Sequence, residues 1–182
     1  MGRHDRTRGL ESVVMQRTAE EEVPADGGNR GSAVNSPDFT SAFTVDQTPE
    51  EAFQAITDVR RWWSENIEGP TDELDGEFVF HNEPVHYAKF RVTELVPGKR
   101  VAWRVLENFM SFVDDKREWI GNEIVFDIAR KGDKTEVLFT QIGLVPEYEC
   151  YDVCSDAWGG YIKGSLRALI ATGKGAPIPN AS

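Results

Sequence analysis

The side chains with most chemistry to offer are three histidines, two cysteines and five tryptophans. His86 opens a run, His86-Tyr87-Ala88-Lys89-Phe90-Arg91-Val92, whose period-two alternation sets it on one face with Ala88, Phe90 and Val92. A histidine among apolar neighbours could serve as an acid or base, or orient a ligand, because its pKa ordinarily lies near neutrality. The plainer alternative is a core-edge histidine with one satisfied hydrogen bond. Cys150 and Cys154 stand at i and i+4 of a helical pattern. With His86 they would make three ligands for zinc, but no further CxxC or HxxxH pair completes a site, so no metal and no cofactor is expected. A reactive thiol needs a positioned base and a lowered pKa. Cys154 reads better as a small hydrophobe on a buried stripe. Trp62-Trp63 could form the rim or lid of a cavity. In the competing reading one indole closes the core while the other half-covers the surface. Asp114, Asp115, Glu118 and Glu123 look like loop and strand-edge solvation, whereas a paired-acid mechanism would need two carboxylates inside. The chain has no GxSxG, no P-loop and no glycine-rich dinucleotide fingerprint.

The elements that must position these residues can be read from periodicity. Tyr151, Cys154, Trp158, Ile162, Ser165 and Leu169 recur at steps of three and four, widened by Leu166 and Ile170. That is one long amphipathic helix over residues 148–172, roughly 30 Å long, stopped by Gly173, Gly175 and Pro177. Gly159, Gly160 and Gly164 interrupt it at a cost of up to about 1 kcal/mol each. They are expected to thin the helix above a cavity, the alternative being a kink or a close sheet contact. Residues 39–45 read as a first strand. Thr48-Pro49-Glu50-Glu51 then carries a capping box with proline at the first helical position. Residues 58–64 suggest a second short helix, and 68–76 a loop. Strands follow at 77–82, 85–96, 100–107, 122–130 and 135–144, two of their connections marked by Pro97-Gly98 and by Lys131-Gly132-Asp133-Lys134. Alternation turns Val101, Trp103 and Val105 inward, with Ile124, Phe126 and Ile128, and Val137, Phe139 and Gln141. The whole describes an α+β domain, a curved antiparallel sheet under a long C-terminal helix.

Composition limits what such a domain can do. Of the net charge of −11, the first 36 residues carry five basic and six acidic side chains, so about −10 belongs to the rest. An acidic surface repels phosphate backbones and anionic lipid, which argues against nucleic acid as a partner. No run approaches the ~20 apolar residues of a membrane span, and 10–15 is too short and polar for a signal core. Cysteines so spaced on one helix are poorly placed for a bridge, and a cytoplasmic location is expected. Residues 1–36 have no aromatic residue and read as a disordered leader, 37–177 as the domain, and 178–182 as a flexible tail.

The order strand, two short helices, antiparallel strands, long helix resembles the helix-grip fold of the START-like (SRPBCC) superfamily. Within it, FTVDQTPEEAFQAITDVRRWW, RVTELVPGKRVAWRV, GNEIVFDIARKGDKTEVLFTQIGLVPEYECYDVC and WGGYIKGSLRALIATGKG resemble the family of activator of heat-shock-protein-90 ATPase homologues. The resemblance covers about residues 39–177. It implies a cavity between sheet and helix, in a superfamily that includes lipid carriers, polyketide cyclases and small-molecule sensors. Residues 1–36 do not resemble the separate N-terminal domain of the eukaryotic activators. The expected function is therefore binding of a small, largely apolar or lipid-like ligand. Trp62, Trp63, Phe90, Trp103, Trp119, Phe126, Phe139, Cys154, Trp158 and Ile162 would supply contact area, and His86 and Gln141 orientation. The alternatives are a cyclase- or hydrolase-type enzyme using His86, and a chaperone-regulating interaction domain. A monomer or weak dimer is expected.

Overall fold

The structure, a computed structural model, describes residues 36–180. The expected leader, its last residue excepted, lies outside the described residues, as does the end of the expected tail. Strand β1 (Phe39–Val45) leads into helix α1 (Pro49–Thr57) and a single 3₁₀ turn, Val59–Arg61. Six further strands follow: β2 (Ile67–Glu68), β3 (Glu77–Asn82), β4 (His86–Val96), β5 (Arg100–Met110), β6 (Glu123–Lys131) and β7 (Lys134–Ile142). The C-terminal helix comprises α2 (Tyr151–Gly159), a π-helical stretch (Gly160–Leu166) and α3 (Arg167–Thr172). The strands form one antiparallel sheet in the order β1-β7-β6-β5-β4-β3-β2, so the first strand closes on the last and one edge is left to β2. This is the α+β helix-grip arrangement expected from the sequence.

Local chemistry explains most boundaries. The Thr48 side chain accepts from Glu51 N–H while the Glu51 carboxylate accepts from Thr48 N–H, which fixes the start of α1. At the β4–β5 turn Lys99 N–H donates to the Val96 carbonyl, and Gly98 takes the φ of +72° that the position after proline in a type II turn requires. Lys131 and Lys134 face each other across the β6–β7 turn, as their spacing predicts. Alternation also holds: Ala88, Phe90 and Val92, Val101, Trp103 and Val105, Ile124, Phe126 and Ile128, and Val137, Phe139 and Gln141 are all buried.

Four expectations need correcting. The second short helix is only the 3₁₀ turn, because both tryptophans after it turn inward and end the regular structure. The expected loop at 68–76 begins inside β2, where Ile67 and Glu68 pair with Phe80 and Val79. Residues 178–180 are not free: Ile178 N–H donates to the Trp63 carbonyl, Glu65 N–H to the Ile178 carbonyl, and Asn180 N–H to the Glu65 carboxylate. The helix glycines do not thin the helix over a cavity. Gly160 and Gly164 are exposed, and a Cβ at Gly159, Gly160 or Gly164 would meet nothing within 4 Å. The backbone there widens into π-helical geometry instead, the class of local distortion to which interrupted helices are prone.

Candidate functional site: a pocket under the start of the C-terminal helix

The middle of the interior is filled. Trp103 lies edge-on to Phe78, Phe90 and Phe126, with ring centroids 5.0 to 5.6 Å apart, and Phe126 in turn meets Phe139 at 5.3 Å. Rings at such separations and tilts leave no room for a guest. Trp62 and Trp63 are both fully buried, so neither forms a lid and neither half-covers the surface. Trp62 donates its indole N–H to the Ile56 carbonyl at 3.1 Å and packs on Phe126. Trp63 lies stacked on Phe80 at 4.4 Å. Ile162 is buried in the same cluster. Gln141 orients other protein groups: its Oε1 accepts the Trp158 indole N–H at 2.8 Å, and its Nε2 donates to Asn122 Oδ1 at 2.9 Å. Asn122 then donates to the Tyr148 hydroxyl at 3.0 Å. Asn122 leaves so little space that a Cβ at Gly143 would collide with its amide, at a residue whose φ is +109°.

A void lies at the end of the sheet beneath α2. It measures about 150 Å³. Phe80 and His86 line its sheet side, with Trp63 from the turn before β2. Trp119 and Phe112 come from the segment between β5 and β6, and Val153, Cys154, Ala157, Trp158 and Tyr161 come from the C-terminal helix. Asn82 and Val85, at the β3–β4 turn, complete the wall. No lysine, arginine, aspartate or glutamate lines it. Three apolar side chains of the lining reach the surface, Val85, Phe112 and Val153, which are 42%, 40% and 57% exposed, beside the exposed Asn82.

Of the twelve side chains expected to touch a ligand, the structure brings Trp63, His86, Trp119, Cys154 and Trp158 together around this void. Trp62, Phe90, Trp103, Phe126, Phe139, Gln141 and Ile162 lie in the filled interior, because aromatic side chains from both layers are long enough to meet. The sequence reading missed Phe80, Asn82, Val85, Phe112, Val153, Ala157 and Tyr161. Phe80 shares the inward face of β3 with Phe78 and could have been found by alternation. Ala157, one position before Trp158, marks where the helix wall is thin. Phe112 and Val85 lie in turns, where periodicity carries no signal.

His86 sits at the pocket wall in an aromatic frame, edge-on to Trp119 at 4.7 Å and to Phe80 at 5.2 Å. Burial lowers its pKa from 6.5 to about 4, so the ring is neutral at physiological pH. Its Nε2 lies 3.4 Å from the amide nitrogen of Asn108. Both cysteines are buried free thiols. A hydrogen bond with Cys150, and then burial, push the Cys154 thiol well above its ordinary pKa, which suits a small hydrophobe and not a nucleophile. Among the described residues no group of three or more potential ligands is placed to hold a metal ion. Burial also raises the Tyr161 hydroxyl.

Glu118 corrects a further expectation. Its carboxylate is not loop solvation: Oε2 accepts Glu149 N–H at 2.7 Å and Oε1 accepts Cys150 N–H at 3.1 Å, at the start of α2. A carboxylate there satisfies otherwise orphaned donors and complements the helix dipole. Glu149 answers by accepting Asp115 N–H at 2.8 Å. The wall carrying Phe112 and Trp119 is thereby tied to the helix that faces it.

Comparison with known proteins agrees with this architecture. The family described as Activator of Hsp90 ATPase homolog 1-like protein matches residues 46–171. The chain belongs to that family. Its fold is similar to the solution structure of the Aha1 dimer from Colwellia psychrerythraea, with a TM-score of 0.62, 24% identity, and 76% of this chain and 99% of that one covered. Protein MLL2253 from Mesorhizobium loti is similar with a TM-score of 0.56 and 13% identity over 72% of this chain and 95% of that one. DynU16, from the dynemicin biosynthetic locus, is similar with a TM-score of 0.55 and 14% identity over 76% of this chain and 49% of that one. At these identities the likeness is one of fold. No curated protein matches the sequence. Among the described residues no helix is long and apolar enough to cross a membrane.

Proposed function

We propose that this domain binds a small, largely apolar molecule in the pocket beneath α2, with a ring-sized portion held inside and any remainder lying against Val85, Phe112 and Val153 at the surface. The observation that carries the reading is the void itself: about 150 Å³ left open beside an interior otherwise closed by interlocking rings. A cavity of about that volume accommodates one benzene-sized ring. Ala157 and Cys154 are the small side chains that leave the space, and Val85, Phe112 and Val153 present apolar surface where a ligand would arrive. Membership of the family supports a binding domain in general terms and does not select the ligand. Cyclase- or hydrolase-type catalysis through His86 gains nothing from the geometry. A ring with a pKa near 4 holds too little proton at neutral pH to act as a general acid, and no carboxylate lies in the pocket to assist it. The cytoplasm as location, a monomer or weak dimer in solution, and the alternative of a chaperone partner are expectations from the sequence.

The test uses the tryptophans already in the wall. Titration of the full chain with ethylbenzene should change the emission of Trp63, Trp119 and Trp158 saturably. Ala157→Phe should abolish that change while leaving the thermal transition within a few degrees of wild type. An unaltered titration in Ala157→Phe would place the binding elsewhere, and the reading would fall.

A further inference from the structure

The polar end of the ligand can be read from the hydrogen bonds behind His86. The amide of Asn108 is oriented by a backbone donor: Trp119 N–H gives to its Oδ1 at 3.1 Å, so Nδ2 must be the donating end. One Nδ2 hydrogen reaches the Tyr87 carbonyl at 3.3 Å, and the other faces His86 Nε2 at 3.4 Å. Two N–H groups pointed at each other repel, so Nε2 is the acceptor and the neutral ring carries its proton on Nδ1. The described residues give Nδ1 no hydrogen-bond partner. Nor is it among the sealed polar atoms without partners, which belong to Ser41, Gln47, Trp63, Trp103 and Trp119. His86 is itself one of the side chains that line the pocket. Around it stand Phe80 from β3, Asn108 from β5, Trp119 from the β5–β6 segment and Cys154 from α2, and Cys154, the one titratable group of these, is held as the neutral thiol.

We propose that His86 is the hydrogen-bond donor of this pocket, acting through Nδ1–H, and that the ligand carries a neutral carbonyl oxygen beside a ring-sized apolar body, as an aryl ketone, aldehyde or amide does. The proposal rests on the ligand-binding reading above. A carboxylate is disfavoured, since an anion would be desolvated in a wall without a cation, in a protein of net charge −11. An amine is disfavoured because it would oppose the imidazole N–H with further N–H groups. A hydrocarbon of the same shape enters, but it strips water from Nδ1–H and returns no acceptor.

The test compares isosteric probes, acetophenone and ethylbenzene, with benzoate as the charged control, in wild type and His86→Phe. In wild type acetophenone should bind about tenfold more tightly than ethylbenzene, the scale of one hydrogen bond left unmade, and benzoate more weakly than acetophenone. In His86→Phe the ratio of acetophenone to ethylbenzene should fall to about one, with the apolar pocket otherwise intact. Imidazole nitrogen NMR of the unliganded wild type at neutral pH should report the Nδ1–H tautomer, a readout that needs neither ligand nor variant. Equal affinities for the two isosteres in wild type would overturn the donor role and leave apolar binding standing. Binding of neither would overturn both. An Nε2–H tautomer would overturn the donor assignment by itself.

Discussion

The two ends of the C-terminal helix meet the rest of the molecule in different ways. Around α3 and the π-helical stretch, two backbones close in. Ser165 Oγ donates to the Trp62 carbonyl at 2.7 Å and accepts Ala176 N–H at 2.7 Å, and Arg61 reaches the Gly173 carbonyl at 2.7 Å. That end is held by the turn carrying the tryptophans and by the chain after the helix. Around α2 the flank is a connecting segment held by side-chain caps, and there Val153 is 57% exposed and the void lies beside Ala157. Main chain is tied to main chain through Ser165 at the one end, and a connecting segment held by side chains is the neighbour at the other. A helix can therefore be rigid scaffold at one end and binding wall at the other.

The strongest way to sharpen this contrast is to delete one side chain from the filled interior and one from the open wall of the helix. Trp103→Ala should cost about 3–5 kcal/mol in denaturant unfolding, because the interlocked rings around it cannot collapse into the gap. Val153→Ala, at the open end, should stay within about 0.5 kcal/mol of wild type. Similar costs at the two positions would remove the distinction between filled interior and open wall.

A smaller effect comes from acid. His86 has a folded pKa of about 4 against an ordinary 6.5, so between those values the unfolded chain binds the extra proton and stability rises with pH. The contribution is constant above about pH 6.5 and is lost progressively down to about pH 4. Its upper bound is about 3 kcal/mol, less to the extent that the ring edge is open to the pocket. Unfolding measured through that window should show the slope in wild type and a flatter one in His86→Phe. An identical slope in both would mean that the ring titrates freely.

The smallest effect lies at Gly164. The residue is exposed, a Cβ would touch nothing, and no left-handed φ is required of it, so Gly164→Ala should stabilise the protein by about 0.5–1 kcal/mol without altering ligand binding. A loss of binding in this variant would reinstate the glycines as part of the site and extend the pocket along the helix.

These cases also show which features a sequence can reveal. Strand faces follow alternation, so the inward set from Ala88 to Gln141 could be named from period two, and the capping box at Thr48 could be placed to the residue. The long helix followed from apolar spacing, although spacing gave no hint that its middle is π-helical. The pocket was only partly legible. An inward side chain can fill space or border it, and the difference depends on how far the opposite layer stands off, which pattern does not encode. Hence Trp103 and Trp158, alike in the sequence as inward tryptophans, end in the filled interior and at the pocket wall. Gln141 resembled a ligand-orienting group because a lone amide on an apolar face demands a partner. Its partner is the indole of Trp158, seventeen positions on. The cap supplied by Glu118 joins residues 31 and 32 positions apart, beyond the reach of any local motif.

That cap has a kinetic consequence. With Glu118 bonded to Glu149 and Cys150 just before α2, and Asn108 bonded to Trp119 N–H, the segment between β5 and β6 is fastened to both faces of the pocket. Opening by swinging the helix away would break several of these bonds at once and belongs to the microsecond-to-millisecond range of collective motion. Rotation of Phe112, Val85 and Val153 about their own side-chain bonds costs no backbone contact and takes picoseconds to nanoseconds. A guest small enough to pass those three side chains exchanges at a rate set by rotamers, so its residence time is governed by how well it fits inside and not by a gate.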